Sequence, residues 1–225
     1  MGKKLFRFLI RVVLWFAISS VAGVLLFRVV PVWITPYMVA EKIRALGRGE
    51  DSGLRKKWVS YDQVSAQMAL AVIAAEDQNF LNHSGFDFGE LKKVLDSDKK
   101  RKRGASTITQ QVAKNVFLWH GRNYLRKGLE AWFAVLLELL WSKERILEVY
   151  LNVAETGNLT FGVEAAAQRY FKIPASRLSR SQAARIAAVL PNPKVYRADN
   201  PGPYVRKRSA WIERQMRNLG KVEFR

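Results

Sequence analysis

Residues 12–27 read VVLWFAISSVAGVLLF without a single charge, and this run constrains the fold more than any other feature of the chain. With the apolar residues of 5–10 and 29–34 beside it, the segment reaches the roughly twenty residues that a helix needs to cross a bilayer. Arg11 and Arg28 can snorkel from its ends, and Trp15 and Trp33 stand where interfacial aromatic residues often do. A cleaved signal peptide has a shorter apolar stretch ending at a small-x-small site, whereas this run continues past Ala22 and Gly23. Charge does not choose an orientation, because Lys3, Lys4, Arg7 and Arg11 on one side face Arg28, Lys42, Arg44 and Arg48 on the other.

Pro31 and Pro36 end the anchor. The expected organisation is a cytoplasmic tail and transmembrane anchor at 1–36, a juxtamembrane linker with a short helix at 37–57, and one domain at 58–225. A chain of 225 residues leaves no room for a second large domain. The absence of cysteine removes disulfides, thiolate metal sites and cysteine nucleophiles together. The two histidines, His83 and His120, are too far apart in sequence to announce a histidine metal site. A formal charge of +19 favours a polyanionic partner, whether nucleic acid, anionic lipid or phosphorylated substrate, and by itself does not separate them.

Ser60 and Gln63 form a capping-box pattern, and Val64, Met68, Val72 and Ala75 follow at helical spacing. A helix is therefore expected up to about Ala75, closed by Glu76 and Asp77. Further helices are predicted at 88–95, 107–116, 122–140, 143–152, 161–170 and 181–190, bounded by turn signals such as Pro174 and the Pro191-Asn192-Pro193 run. Few stretches alternate as strands do, so the fold class is mainly α. The apolar run at 131–141, broken by Glu138, is too short to span a membrane and reads as a buried core helix. Lys99-Lys100-Arg101-Lys102-Arg103 reads as solvated surface, since the anchor argues against a nuclear signal.

Three constellations carry chemistry. With an advance of about 100° per residue, Glu76 falls at the rim of the apolar face set by Met68 and Val72, while Asp77 points elsewhere. A carboxylate half withdrawn from water holds its proton more tightly and nearby cations oppose this, a balance that suits a general base; the plainer alternative is an acidic pair ending a helix. In GASTITQQVAKN at 104–115, Gly104 permits a turn and Thr107 with Gln110 forms another capping box. The N–H groups of that helix start, with Lys114 and the Ser106 hydroxyl, would make an anion site; the alternative is a capped helix with no ligand. Arg122, Arg126 and Glu130 share one helix face with Lys127 adjoining, and bases preceding the acid are the weaker order for a merely stabilising ion-pair ladder.

Taken in order, these segments resemble the monofunctional biosynthetic peptidoglycan transglycosylases, relatives of the glycosyltransferase domain of bifunctional penicillin-binding proteins. EDQNFLNHSG at 76–85 matches EDxxFxxHxG, and GASTITQQ at 104–111 is similar to GGSTITQQ, with Ala105 at a glycine position. RKGLE at 126–130 matches RKxxE, KERILEVYLN at 143–152 matches KxxILExYLN, and FGVEAAAQRYF at 161–171 fits the last motif. The resemblance covers about residues 58–200. Alanine resists positive φ, so the one departure touches only the local loop conformation.

The resemblance implies a lysozyme-like helical domain beside the membrane that polymerises lipid II into β-1,4-linked strands with inversion and release of undecaprenyl pyrophosphate. Glu76 would be the general base on the acceptor hydroxyl, and Glu130 the second acid, positioning cations or a metal. Lys114, Arg122 and Arg126, with Lys127 beside them, would meet the charge that builds on the pyrophosphate. Ser106 and Gln110 would hold phosphate or sugar, and Asp77, Phe80 and His83 would shape the cleft. No protein-held metal is expected; a divalent ion, Mg or Mn, would be bound mainly through the substrate's pyrophosphate. The implied setting is the inner membrane with the domain on its periplasmic face, in contact with membrane lipids, lipid II, the growing lipid-linked glycan and cell-wall synthesis or division proteins, and not nucleic acid.

Two rivals differ in class. A lytic muramidase also works with carboxylates on a lysozyme-like fold, but hydrolysis has no pyrophosphate to neutralise. A non-enzymatic binder of nucleic acid or anionic lipid accounts for the charge and for none of the motifs. Transpeptidation is disfavoured because Ser97-x-x-Lys100 stands alone, without companion motifs.

Overall fold

The computed structural model describes residues 2–50, 53–96, 106–121 and 123–224. Helix α1 (Gly2–Val29) is the one helix among the described residues that is long and apolar enough to cross a membrane, and the protein buries little of it. Its second half is nevertheless tied to the domain. Trp132 Nε1 donates to Ser20 Oγ at 3.0 Å and Trp141 Nε1 to the Val24 carbonyl at 2.8 Å, while Arg145 donates to the carbonyls of Phe27 and Val30.

The anchor helix stops at Val29, and Pro36 opens α2 (Pro36–Gly47), where a fixed φ suits the first turn and the Thr35 hydroxyl accepts from Met38 N. The stretch read as a linker is clamped onto the domain through this helix, which buries Tyr37, Met38, Glu41 and Ala45. Tyr37 donates to Glu155, and Glu41 pairs with Arg44 and Lys194. Burial pushes the Glu41 carboxyl up, but hydrogen bonds from Lys194 and Arg44 outweigh that and leave it below its usual value.

The helix expected to start at Ser60 starts later. Ser60 opens only a 3₁₀ turn, Tyr61–Gln63, with no side-chain cap, whereas the Ser65 hydroxyl accepts from Gln67 N and begins α3 (Ala66–Glu76). From Met68 to Ala75 every residue of α3 is buried, so the apolar face expected from its spacing is the whole circumference, as in the central helix of a core. Helices α4 (Phe88–Leu95), α5 (Ile108–Phe117), α6 (Tyr124–Leu140), α7 (Lys143–Val153), α8 (Val163–Phe171) and α9 (Arg180–Val189) stand within about two residues of their predicted bounds, the scatter expected at helix ends. The 131–141 run is only half a core segment: Phe133, Ala134, Leu136 and Leu137 are buried, but Leu139 and Val135 are exposed on a helix that lies against α1. The basic run 99–103, Gly104, Ala105 and the Ser97/Lys100 pair lie outside the described residues.

Two features escaped the pattern reading. Strands β1 (Arg55–Lys56), β2 (Glu155–Gly157) and β3 (Thr160–Phe161) form a small sheet in the order β1-β3-β2, parallel then antiparallel, each too short for alternation to register. After β3, Gly162 has φ +83° and a Cβ there would sit 2.8 Å from the Asn152 carbonyl oxygen, so this turn requires glycine. The second is α10 (Pro203–Leu219), which packs on α3 and α9. Its signals were present: proline in the first turn, Val205, Ile212 and Met216 along one face, and Gly220 just past the end.

Candidate active site

The site forms where α3 ends against the start of α5. The C-cap residue Asp77 turns its buried carboxylate inward, accepting from Ile108 N at 2.9 Å and contacting His83 Nε2 at 3.0 Å. The capping box expected at Thr107 and Gln110 is present in both directions, and the Thr107 hydroxyl also donates to the Gly85 carbonyl at 2.7 Å. Gly85 adopts φ +85°, with Glu138 and the Ala134 backbone close behind it. Two first-turn N–H groups of α5, those of Ile108 and Gln110, are thus taken by Asp77 and Thr107 rather than left open for an anion. The Gln110 oxygen is likewise held in the box by Thr107 N.

Its neighbour Gln111 faces Glu76. Gln111 Nε2 donates to Glu76 Oε2 at 2.9 Å, and Tyr150 from α7 donates its hydroxyl to Gln111 Oε1 at 3.2 Å. Burial, with Glu76 and Asp77 adding to it, keeps the Tyr150 phenol protonated as a donor far beyond neutral pH. The half-buried Glu76 carboxylate is therefore oriented through a neutral chain, Tyr150 to Gln111 to Glu76.

Positive charge gathers alongside. One turn beyond Gln110, Lys114 is partly buried; desolvation lowers its proton affinity, with Glu130 opposing most strongly, Arg126 and Lys127 adding to the lowering, and Glu76 opposing. These are the fields of the neighbours proposed from sequence, now in one place. On α6, Glu130 is buried and each of its oxygens is claimed, by Arg126 Nη1 at 2.7 Å and by Lys127. Arg126 Nε also donates to the Gly121 carbonyl at 2.7 Å. Beside that carbonyl, the His120 ring stacks on Tyr37 with centroids 3.6 Å apart. Burial first and Lys114 next push the His120 imidazole down to about 4, so it stays neutral among cations.

Phe80 is fully buried, edge-on to His83, with the Lys143 ammonium 4.6 Å from its ring centroid. Lys143 also donates to the His83 carbonyl at 2.6 Å and pairs with Glu138 at 2.7 Å. Asp77, Phe80 and His83 therefore build the wall behind Glu76. Ser106 is exposed at the edge of the site, and Arg122 lies outside the described residues.

Comparison with known proteins gives this arrangement a family. The transglycosylase family model matches residues 42–217. A biosynthetic peptidoglycan transglycosylase of Pseudomonas fluorescens (strain SBW25) is 52% identical over 222 residues, covering 98% of this chain and 92% of that protein. Proteins of the same name from Chromohalobacter salexigens and Pseudomonas aeruginosa are 53% and 50% identical, covering 95% and 98% of this chain and 92% and 96% of their own lengths.

The chain belongs to the transglycosylase family.

Its domain is accordingly lysozyme-like and helical. Within this transglycosylase, sequence reasoning missed Gln111, Tyr150 and His120. Gln111 and Tyr150 stand inside matched motifs, but which glutamine of a Gln-Gln pair turns toward Glu76 depends on the start of α5. Both oxygens of Glu130 are engaged by Arg126 and Lys127. Among the described residues, no three acidic or histidine side chains converge as a metal site.

Proposed function

We propose that Glu76 is the general base of inverting glycosyl transfer from a lipid-pyrophosphate sugar donor. The chain is a peptidoglycan glycosyltransferase, and the reaction joins lipid II to a growing lipid-linked glycan. The acceptor's 4-hydroxyl oxygen forms a bond to the donor's anomeric carbon and its proton passes to Glu76. The bond from that carbon to the pyrophosphate oxygen breaks, its electron pair leaves with undecaprenyl pyrophosphate, and an α-linked donor becomes a β-1,4 product.

One observation carries this reading: a hydrogen-bonded carboxylate at the end of a buried helix shares its field with Lys114, which in turn feels Glu130, Arg126 and Lys127. A base on one side and preorganised cations on the other meet the two needs of the transition state, proton removal and charge on the leaving group. Arg122, Ser106 and Gln110 are assigned to the pyrophosphate and sugar by motif position. A divalent ion, Mg or Mn, arriving on the pyrophosphate would supply further neutralisation of the leaving group. Hydrolysis of finished glycan has no such leaving group, and the cation cluster would then be without purpose.

The apolar α1 fits a single inner-membrane anchor. The reading places the domain on the periplasmic face, where it would meet membrane lipids, lipid-linked substrate and cell-wall synthesis or division proteins. Purified Glu76→Gln protein should polymerise lipid II at a rate lower by about 10²–10⁴. A near wild-type rate would remove the base assignment, and release of muropeptides from finished peptidoglycan by the wild-type protein would restore the lytic alternative.

A further inference from the structure

The last turn of an α-helix leaves its carbonyls without intrahelical donors, and the base sits on such a turn. At the end of α3, Asp77 N still donates to the Ile73 carbonyl, and then the chain departs abruptly at Asp77, with φ −159° and ψ 80°. The next two carbonyls are taken by side chains. Gln78 Nε2 donates to the Ala74 carbonyl at 3.1 Å, and Arg208 Nη2 from α10 donates to the Ala75 carbonyl at 2.8 Å. The second clasp leads to the same helix as the first, because Gln78 Nε2 also lies 3.5 Å from Gln215 Oε1 on α10. The Arg208 guanidinium is held over the Trp211 ring, 4.3 Å from its centroid, so it is not a freely moving surface charge.

We propose that Arg208 is a positioning residue for the reaction: by capping the carbonyl that immediately precedes Glu76, it fixes where the base's carboxylate stands and lends it a nearby positive charge. The inference rests on the assignment of Glu76 as base. No motif that led to the site includes Arg208, which comes to it across the tertiary fold from a helix the sequence reading did not contain. A cation at a helix C-terminus is favourably placed against the helix dipole, which here also acts on Glu76. Among the described residues, the ionisable groups that share a field with Glu76 include Lys114 on α5 and Tyr150 on α7, with Asp77 adjoining, and Arg208 reaches the preceding carbonyl from α10.

The test compares full-length wild-type, Arg208→Ala, Arg208→Lys, Lys207→Ala and Glu76→Gln proteins in lipid II polymerisation across pH, with folded fraction followed by circular dichroism. Arg208→Ala should lower kcat by on the order of tenfold to a hundredfold with KM little changed, as expected for a displaced reacting group. The acid limb of its rate profile should move to higher pH, because loss of a neighbouring positive charge strengthens the proton's hold on a carboxylate. Arg208→Lys, which keeps the charge, should return the limb toward its wild-type place, and Lys207→Ala, on the exposed side of α10, should match wild type. Wild-type kcat and pH profile in Arg208→Ala, or losses in both Arg208 variants that only track folded fraction, would overturn the inference. Should Glu76→Gln be inactive while Arg208→Ala is fully active, this inference fails alone; an active Glu76→Gln would instead remove the base assignment.

Discussion

The two sides of the active site are built differently. The side of the proposed base, Glu76, is held mainly by hydrogen bonds: Gln111 contacts the carboxylate and Tyr150 supports Gln111, Asp77, His83 and Thr107 lock the turn to α5, and Arg208 closes the end of α3. The cation side, on α5 and α6, is held by charge, with one buried carboxylate, Glu130, gathering Arg126 and Lys127 beside Lys114. A cluster of cations cannot be packed this tightly without an internal anion to balance it. The contrast predicts that Glu130 acts as a counter-charge, and that losses on the cation side should exceed the loss of a neutral support such as Tyr150.

The largest stability effect is expected from Glu130→Ala, which leaves Arg126 and Lys127 crowded without their partner. Removing the buried partner of largely buried Arg126 and half-exposed Lys127 should cost about 2–3 kcal/mol once screening at Lys127 is discounted, readable in denaturant unfolding, and polymerisation should collapse with it. Wild-type stability in that variant would erase the contrast. Lys114→Ala should lower turnover by on the order of a hundredfold with a far smaller change in stability, the signature of charge stabilisation in the transition state. Equal losses in rate and stability would recast Lys114 as scaffold.

His120, at the border with α2, sharpens the comparison through pH. Its folded value is about 4 against an ordinary 6.5, so above the ordinary value the folded and unfolded chains are both neutral there and nothing changes. As pH falls through that window the unfolded chain takes a proton that the folded chain refuses, so stability is lost toward acid. The loss should reach on the order of 2 kcal/mol once solvent screening is discounted. Unfolding of wild type and His120→Gln from pH 7 to 4 should show a shallower acid loss in the variant. The smallest effect belongs to the base side: Tyr150→Phe removes one neutral hydrogen bond to Gln111, worth about 1 kcal/mol, or roughly a fivefold fall in turnover in the lipid II assay. A fall as large as that of Lys114→Ala would show that the base side is no less sensitive than the cation side.

Much of this was legible beforehand where the signal is local. The capping box at Thr107 and Gln110, the bounds of α4, α5 and α7, and the ladder from Arg126 to Glu130 depend on neighbours a few residues apart, and they stand as read. The failures are of another kind. Ser60 and Ser65 offer similar caps, and packing selected Ser65. The amphipathic reading of α3 failed because a helix wrapped on all sides loses the contrast between faces on which periodicity depends.

By itself the sequence determined the membrane-spanning length of α1, the helical character of the domain, and the identity and order of the acids and cations, since each follows from residue type and short-range spacing. Only the tertiary structure decided that Gln111 rather than Gln110 reaches Glu76, that Glu130 is buried, and that Arg208 closes the end of α3. Those contacts join residues up to 133 positions apart, and a hydrogen bond or ion pair is set by distance in space, which spacing along the chain does not encode.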